Sequence, residues 1–187
     1  MKFSFHRGSL ALDFAGTVGS RASEAPEERL PDTDALRRWL AESGLAADVR
    51  PDEADLAAAR RLREAIFRIL SDAIDGRRLD AGSLAVVNHA AGGLRLGAPQ
   101  LDARLRARWV TEAPVAVALG RLAADAIDLL AREPERLGRC AREDCGALIL
   151  SRSRSERRRW CSMELCGNRA KVAAYRARSK SGRIHRS

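Results

Sequence analysis

The chain has 187 residues, of which 45% are hydrophobic and 4% aromatic, and its formal net charge at pH 7 is +9. A chain of this length can bury its own core, which the composition predicts to be mainly Leu, Ala, Val and Ile. No run of about 18 apolar residues occurs, which excludes a membrane-spanning helix. His6, Arg7 and Asp13 interrupt the apolar stretch that a secretory signal needs, so we expect a cytoplasmic protein with reduced thiols.

Positive charge is concentrated at the C-terminal end. Residues 139–187 carry 14 Lys and Arg against 4 acidic residues, a net +10, whereas residues 1–138 sum to −1. This contrast predicts a domain at 1–138 and a small basic module at 139–187, which is too short to fold readily without a metal. The basic module predicts binding to a polyanion, whose identity charge alone does not give.

Helical periodicity dominates the first 138 residues. Asp32 or Thr33 is placed to cap a helix that Gly44 ends, and Pro51 begins the longest helix, which ends before Gly76. The polar stretch over 20–32 predicts a surface loop. The helices are predicted over about 9–19, 33–43, 51–75, 81–91 and 111–132.

One segment changes period. In LDARLRARW, residues 101–109, apolar residues alternate strictly with charged ones, which is typical of a half-buried strand. Leu94 and Leu96, ahead of Gly97 and Pro99, offer a partner strand. We therefore predict one β-hairpin, over about 94–109, in an otherwise helical domain.

All the cysteines of the chain lie in one window with the spacing C-x4-C-x15-C-x4-C. Four thiolates in two close pairs are the ligand set of a closed tetrahedral Zn²⁺ site. Disulfides and an iron–sulfur cluster are the alternatives, and the cytoplasmic expectation and the hairpin-like span between the pairs favour zinc over them. The sequence predicts one structural zinc ion per chain, held by Cys140, Cys145, Cys161 and Cys166.

The zinc module is predicted to combine a hairpin and a helix in a treble-clef-like arrangement. Leu148–Leu150 is strand-like, and residues 151–159 are expected to form the far turn and the returning arm. A helix is expected from Cys166 and Gly167 to about Ser179. Trp160, directly before Cys161, is interpreted as a packing anchor.

Basic side chains flank this predicted helix and precede it. Such groups can contact phosphates, and Arg169, in the first turn of the helix, is the candidate for reading a base edge. A solvated basic face is the alternative, as is a role for Arg169 in bracing the zinc site. The candidate nucleic-acid-binding residues are Arg157, Arg158, Arg159, Arg169, Lys171, Arg176, Arg178 and Lys180.

Two segments resemble known families. RRWCSMELCGNRAKVAAYRAR resembles the CGNR zinc finger, with residues 166–169 as the naming tetrapeptide, and LALDFAGT resembles the start of the ABATE domain. The resemblance implies a bacterial protein of a group described as stress-induced transcription regulators, with a zinc finger after the ABATE domain.

These observations favour a mainly α fold and a bacterial regulator that binds DNA through its zinc module. The N-terminal domain would dimerise or sense a small-molecule effector. An RNA-binding or ribosome-associated zinc protein and a protein-interaction module are the alternatives. We expect no enzyme, because His6, His89 and His185 are isolated and four thiolates leave no open position on the metal.

Overall fold

A computed structural model describes residues 3–94, 98–101, 103, 107–110 and 114–173. The helices are α1 (Leu10–Ala15), α2 (Thr33–Glu42), α3 (Glu53–Ile74), α4 (Ala81–Gly92) and α5 (Pro114–Arg132). Helix α6 begins with a π-helical turn, Met163–Gly167, and continues through residue 173. The strands are β1 (Val18–Gly19), β2 (Glu27–Glu28), β3 (Ala98–Leu101), β4 (Ala107–Val110), β5 (Leu137–Arg139) and β6 (Leu148–Leu150). The predicted mainly α fold is confirmed.

Three helices begin at a capping aspartate, one of which is the predicted Asp32. The side chains of Asp32, Asp52 and Asp80 each accept a hydrogen bond from a backbone N–H three residues later. Asp52 forms a reciprocal capping box with Asp55, which satisfies two donors at the start of α3. Local chemistry therefore fixes these N-termini.

The core lies between α1, α3, α4 and α5, and α2 closes it on one side. Trp39 is completely buried, with ring centroids of Phe14 and Phe5 at 4.9 and 5.8 Å. Asp125 of α5 accepts a hydrogen bond of 2.7 Å from the backbone N–H of Ala11, which joins the short α1 to α5. The buried residues of α3 include an apolar stripe formed by Leu62, Ile66, Ile69 and Leu70.

The predicted hairpin before α5 exists, but its strands differ from the prediction. β3 and β4 are antiparallel, with Ala98 opposite Val110 and Leu101 opposite Ala107. The alternating segment 101–109 is therefore not one strand, because the chain reverses between Leu101 and Ala107. Leu94 lies outside the strands and Leu96 outside the described residues. The segment 101–109 contains no Gly or Pro that would interrupt the alternation of apolar and charged residues. The sequence pattern therefore does not reveal the reversal.

A second small ladder joins the end of the predicted first helix to the stretch predicted to be a loop, because α1 ends at Ala15 and not near residue 19. β1 and β2 pair antiparallel, with Val18 opposite Glu28 and Gly19 opposite Glu27. Two-residue strands are too short to show periodicity. The ladder positions Glu28, which accepts hydrogen bonds of 2.6 and 2.7 Å from the buried guanidinium of Arg63 on α3.

The hairpin of the C-terminal module also differs from the prediction. β6 pairs with β5, which precedes the first cysteine, and Leu137 lies opposite Leu150. Residues 151–159, predicted as a returning arm, form no strand. Instead the Ser151 hydroxyl accepts a hydrogen bond of 3.1 Å from the backbone N–H of Arg158, which closes this stretch as a loop.

The module packs directly on the helical domain. Leu137 and Leu148 belong to the same buried cluster as the helices. The backbone N–H of Leu150 donates to the carbonyl of Arg7 at 2.9 Å, and Arg139 pairs with Asp75 at the end of α3 at 2.9 Å. The predicted division at residue 138 falls inside β5 and stays a prediction. Within the described ranges, none of the helices is long and apolar enough to cross a membrane.

Candidate metal centre

The four cysteines come from three elements. Cys140 and Cys145 occupy the turn between β5 and β6, Cys161 precedes α6, and Cys166 lies in the π-helical turn of α6. This helix begins earlier than predicted, at Met163, because the Ser162 side chain accepts a hydrogen bond from the N–H of Leu165. The early start places Cys166 on the inner side of the first turn.

The sulfur positions suit one tetrahedral ion. The four Sγ atoms all lie within 4.8 Å of one another, and all four residues are buried. The Sγ of Cys161 is 3.6 Å from that of Cys145 and 3.3 Å from that of Cys166, and Cys145 and Cys166 are 3.7 Å apart. Zinc–sulfur bonds of about 2.3 Å in a tetrahedron require sulfurs about 3.8 Å apart. These separations are too long for disulfides, and all four are free thiols.

Electrostatics also favours a cation among these thiols. Hydrogen bonding from Cys161 lowers the pKa of the Cys145 thiol to about 5. The same hydrogen bond, with burial, raises the pKa of Cys161, and burial raises the pKa of Cys166 to about 11. One thiolate thus discourages its neighbours from ionising. A Zn²⁺ ion would remove that repulsion and allow all four to bind as thiolates.

Two glycines allow the close packing around the sulfurs. Gly146, after Cys145, has φ +62°, and a Cβ there would lie 3.0 Å from the backbone nitrogen of Ala22. A Cβ on Gly167 would lie 2.8 Å from the Sδ of Met163 and 3.4 Å from the ring of Trp160. A larger residue at Gly146 would be strained and would press on the backbone of Ala22, whereas at Gly167 it would displace the side chain of Met163 and contact Trp160.

Comparison with known families agrees with the geometry. Residues 8–133 match the ABATE domain, described as "Putative stress-induced transcription regulator", and residues 136–179 match the CGNR zinc finger. The chain belongs to the ABATE family. Both predicted resemblances are therefore confirmed, and the four buried cysteines of this ABATE protein suit the single structural zinc ion that was predicted. No curated protein matches the chain.

The structure directs Arg158, one of the predicted nucleic-acid-binding residues, into the protein. Its guanidinium donates to the carbonyl of Trp160 at 2.8 Å, to that of Cys161 at 2.6 Å, and to that of His6 in the helical domain. Every guanidinium nitrogen of Arg158 thus has a backbone partner. This arginine joins the start of the chain to the segment that carries the second cysteine pair.

The neighbouring arginines face solvent. Arg157 is exposed, and Arg159 is exposed with its guanidinium carbon 5.2 Å from the centroid of the Trp160 ring. Trp160 is half-buried against the cysteine cluster, in agreement with its predicted packing role. The cation–π contact holds Arg159 at the surface beside the zinc site.

On α6, the predicted basic residues divide between described and undescribed positions. Arg169 and Lys171 are exposed. Arg169 also lines a cavity of about 220 Å³ that Cys145, Cys161 and Cys166 border. Arg176, Arg178 and Lys180 lie outside the described residues, as does the end of the helix predicted near Ser179.

Sequence reasoning missed a polar cleft between the module and the start of the chain. Its volume is about 590 Å³, and it places Arg136 and Arg152 beside the predicted Arg157 and Arg158. The alternation of Ser and Arg after Leu150 was a signal for Arg152, whereas Arg136 lies before the cysteine window. Arg136 reaches the loop by donating to the carbonyl of Ser151 at 2.8 Å. The remaining lining residues are Gly8, Leu150, Ser151 and Glu156.

Proposed function

We propose that this protein is a bacterial, cytoplasmic transcription regulator that binds DNA through its zinc module. The observation that carries the proposal is the arginine-lined cleft, where four arginines and one acidic residue, Glu156, surround a polar space beside the zinc site. The positive charges outnumber the single negative charge, and a cleft with such an excess attracts a polyanion. Of its arginines, Arg152 and Arg157 are exposed and can bind phosphate oxygens in bidentate fashion.

Exposed basic groups extend this surface around the module. Within the described part of the chain, neither Arg152 nor Arg157 has a carboxylate partner, so both can reach phosphates. Arg154, by contrast, pairs with Glu135 at 2.9 Å. The proposed DNA-contacting set is Arg152, Arg157, Arg159, Arg169 and Lys171, with Arg176, Arg178 and Lys180 as further candidates from the sequence.

The proposed role of zinc is structural. Four thiolates fill the coordination sphere, so no position is left for a substrate, and we propose that the protein is not an enzyme. The ion would hold the β5–β6 turn to the start of α6 and thereby fix the basic side chains in space. The proposed role of the helical domain is dimerisation or the sensing of an effector, in line with a regulator of a stress response.

The direct test is a binding titration with fluorescent duplex DNA of random sequence. Replacing both Arg152 and Arg157 by Ala should weaken binding at 100 mM salt about tenfold or more. Five phosphate contacts predict a slope of log affinity against log salt of roughly −4 to −5, and losing two should make it shallower by about 2. The matched control replaces Arg50 and Arg78, which are exposed on the helical domain, and should change neither quantity much.

The same protein can decide between DNA and its alternatives. Selection from a mixture of random duplex DNA and total cellular RNA should enrich duplex DNA. Enrichment of RNA would transfer the proposal to an RNA-binding protein, and retention of neither would favour a protein-interaction module. Replacing Arg169 by Ala should relax the base preference at one position if this residue reads a base edge.

A further inference from the structure

The outer side of the helical domain carries an apolar cleft that the zinc module does not border. The cleft has a volume of about 470 Å³ and lies between α3, α4 and α5. Volumes of this size are typical of small-molecule sites. The apolar lining comes from Ala58 and Leu62 on α3, Ala85, Val86 and Ala90 on α4, and Ala116 and Leu119 on α5.

Helix α4 is unusual for a helix at the surface. Its twelve residues, AGSLAVVNHAAG, include no Asp, Glu, Lys or Arg, and only Val87 among them is buried. An apolar helix with one buried residue leaves an apolar side that water solvates poorly. The cleft is where this side meets α3 and α5, so an apolar ligand there would cover surface that is otherwise exposed.

The polar side chains of the cleft are both hydrogen-bond donors that can bind an anion. Among the described residues that line it, Arg61 and His89 have polar side chains and none has a carboxylate. Both are exposed, and within the described part of the chain Arg61 has no acidic partner. Arg61 carries a permanent positive charge, and a histidine ring can donate a hydrogen bond in either protonation state. Together they complement an anion at the edge of an apolar body.

We propose that this cleft binds an amphiphilic carboxylate, with its apolar body on α4 and its carboxylate at Arg61 and His89. The inference rests on the ligand-sensing part of the proposed function and gives it a location and a ligand class. An apolar body alone would gain by burial at the alanine and valine surface. The carboxylate adds charge-assisted hydrogen bonds, which make the site selective against neutral and cationic amphiphiles.

The test uses isothermal titration of the full chain, without DNA, with decanoate and with 2-naphthoate as a more compact acid. At least one of the two should bind with one site per chain, whereas decanol and decylamine should bind at least tenfold more weakly. Arg61→Gln should weaken binding of the acid about tenfold, since a charged donor is lost. Arg78→Gln, which removes an exposed charge outside the cleft, should leave the affinity for the acid unchanged.

A second pair of variants tests the location. Ala85 is exposed and lines the cleft, so Ala85→Trp should fill it and abolish binding without disturbing the fold. Ala41→Trp places the same side chain on an exposed position of α2 outside the cleft and should bind normally. Equal affinity for the acid and decanol, unaffected by Arg61→Gln, would overturn the proposal. So would the absence of binding by both acids at millimolar concentration.

These outcomes are separate from those of the DNA experiments. Acid binding that Ala85→Trp abolishes would support the site even if the protein failed to bind DNA. If the apolar cleft bound no acid, the DNA proposal would be unaffected, because none of the residues that line the apolar cleft belongs to the arginine-lined cleft.

Discussion

Arg157 and Arg158 are adjacent in sequence and have opposite environments. Arg157 faces solvent, whereas the guanidinium of Arg158 donates to three backbone carbonyls from two parts of the chain. Replacing Arg158 by Ala should therefore lower the free energy of unfolding by about 1 to 3 kcal/mol, because partly buried carbonyls lose charged donors. Denaturant unfolding followed by circular dichroism measures this loss.

Arg157→Ala is the matched control for that substitution. It removes the same charge one residue away, and it should leave the unfolding midpoint unchanged while weakening DNA binding. The opposite pattern, with Arg158→Ala affecting only DNA binding, would show that Arg158 is turned outward in solution and contacts phosphate.

At the residue scale, the sequence predicts the chemistry of a side chain better than the direction in which that side chain points. The spacing of the four cysteines was enough to predict a zinc site, because the chain has no other cysteine and no histidine lies between the cysteine pairs. The run Arg157 to Arg159 predicted only a basic surface. Which arginine turns inward depends on where the carbonyls of His6 and Cys161 lie after folding, and no local pattern contains that information.

At the scale of elements, the ladder of β1 and β2 is joined to α3 by an ion pair. Arg63 is 4% exposed and Glu28 is 37% exposed. Burial opposes the charge on Glu28, but the hydrogen bonds from Arg63 outweigh it and hold the pKa of this carboxyl below its ordinary value of 4.5. The pair therefore stabilises the fold above about pH 4.5 and loses its contribution as pH falls through the lowered pKa.

Replacing Glu28 by Gln should show this dependence. At pH 7 the variant should be less stable by about 1 to 3 kcal/mol, since the buried Arg63 loses one of its two carboxylate partners and keeps only Glu64, in a site that water partly reaches. The difference from the unmodified protein should begin to shrink below about pH 4.5 and be lost as pH falls through the lowered pKa of Glu28. Urea midpoints over pH 3.5 to 7 measure it. Glu27→Gln, at a more exposed position, is the control, and an equal deficit at every pH would exclude the ion-pair explanation.

The start of a helix could be predicted where its cause is local, whereas the pairing of strands could not. The cap at Asp32 acts within three residues, so the sequence located it, and the same local chemistry starts α3 at Asp52 and α4 at Asp80. The partner of β6 was predicted on the wrong side, because strand pairing depends on which neighbour the core leaves available. Leu137 and Leu148 are both drawn into the buried cluster of the helices, and this pairs β5 with β6.

At the scale of the whole molecule, the zinc module and the helical domain share buried residues. Leu137 and Leu148, from the strands on either side of the first cysteine pair, pack in the main cluster. Arg139 contacts Ser71 and Asp75 at the end of α3. The backbone N–H of Arg21 also donates to the carbonyl of Cys145 at 3.0 Å. Loss of order at the cysteines should therefore weaken the packing on the end of α3.

Removal of zinc should consequently lower the stability of the whole chain in one transition. A structural zinc ion contributes several kcal/mol or more to folding, so its removal should lower the melting temperature on the order of 10 °C for a chain of this size. Circular dichroism at 222 nm, before and after chelation, measures this shift. Cys166→Ser should reproduce the chelated melting curve and make the protein insensitive to chelator, because the fourth ligand is gone. If the helical signal instead melts at an unchanged temperature while the module alone loses structure, the contacts at Leu137, Leu148 and Arg139 do not couple the two parts.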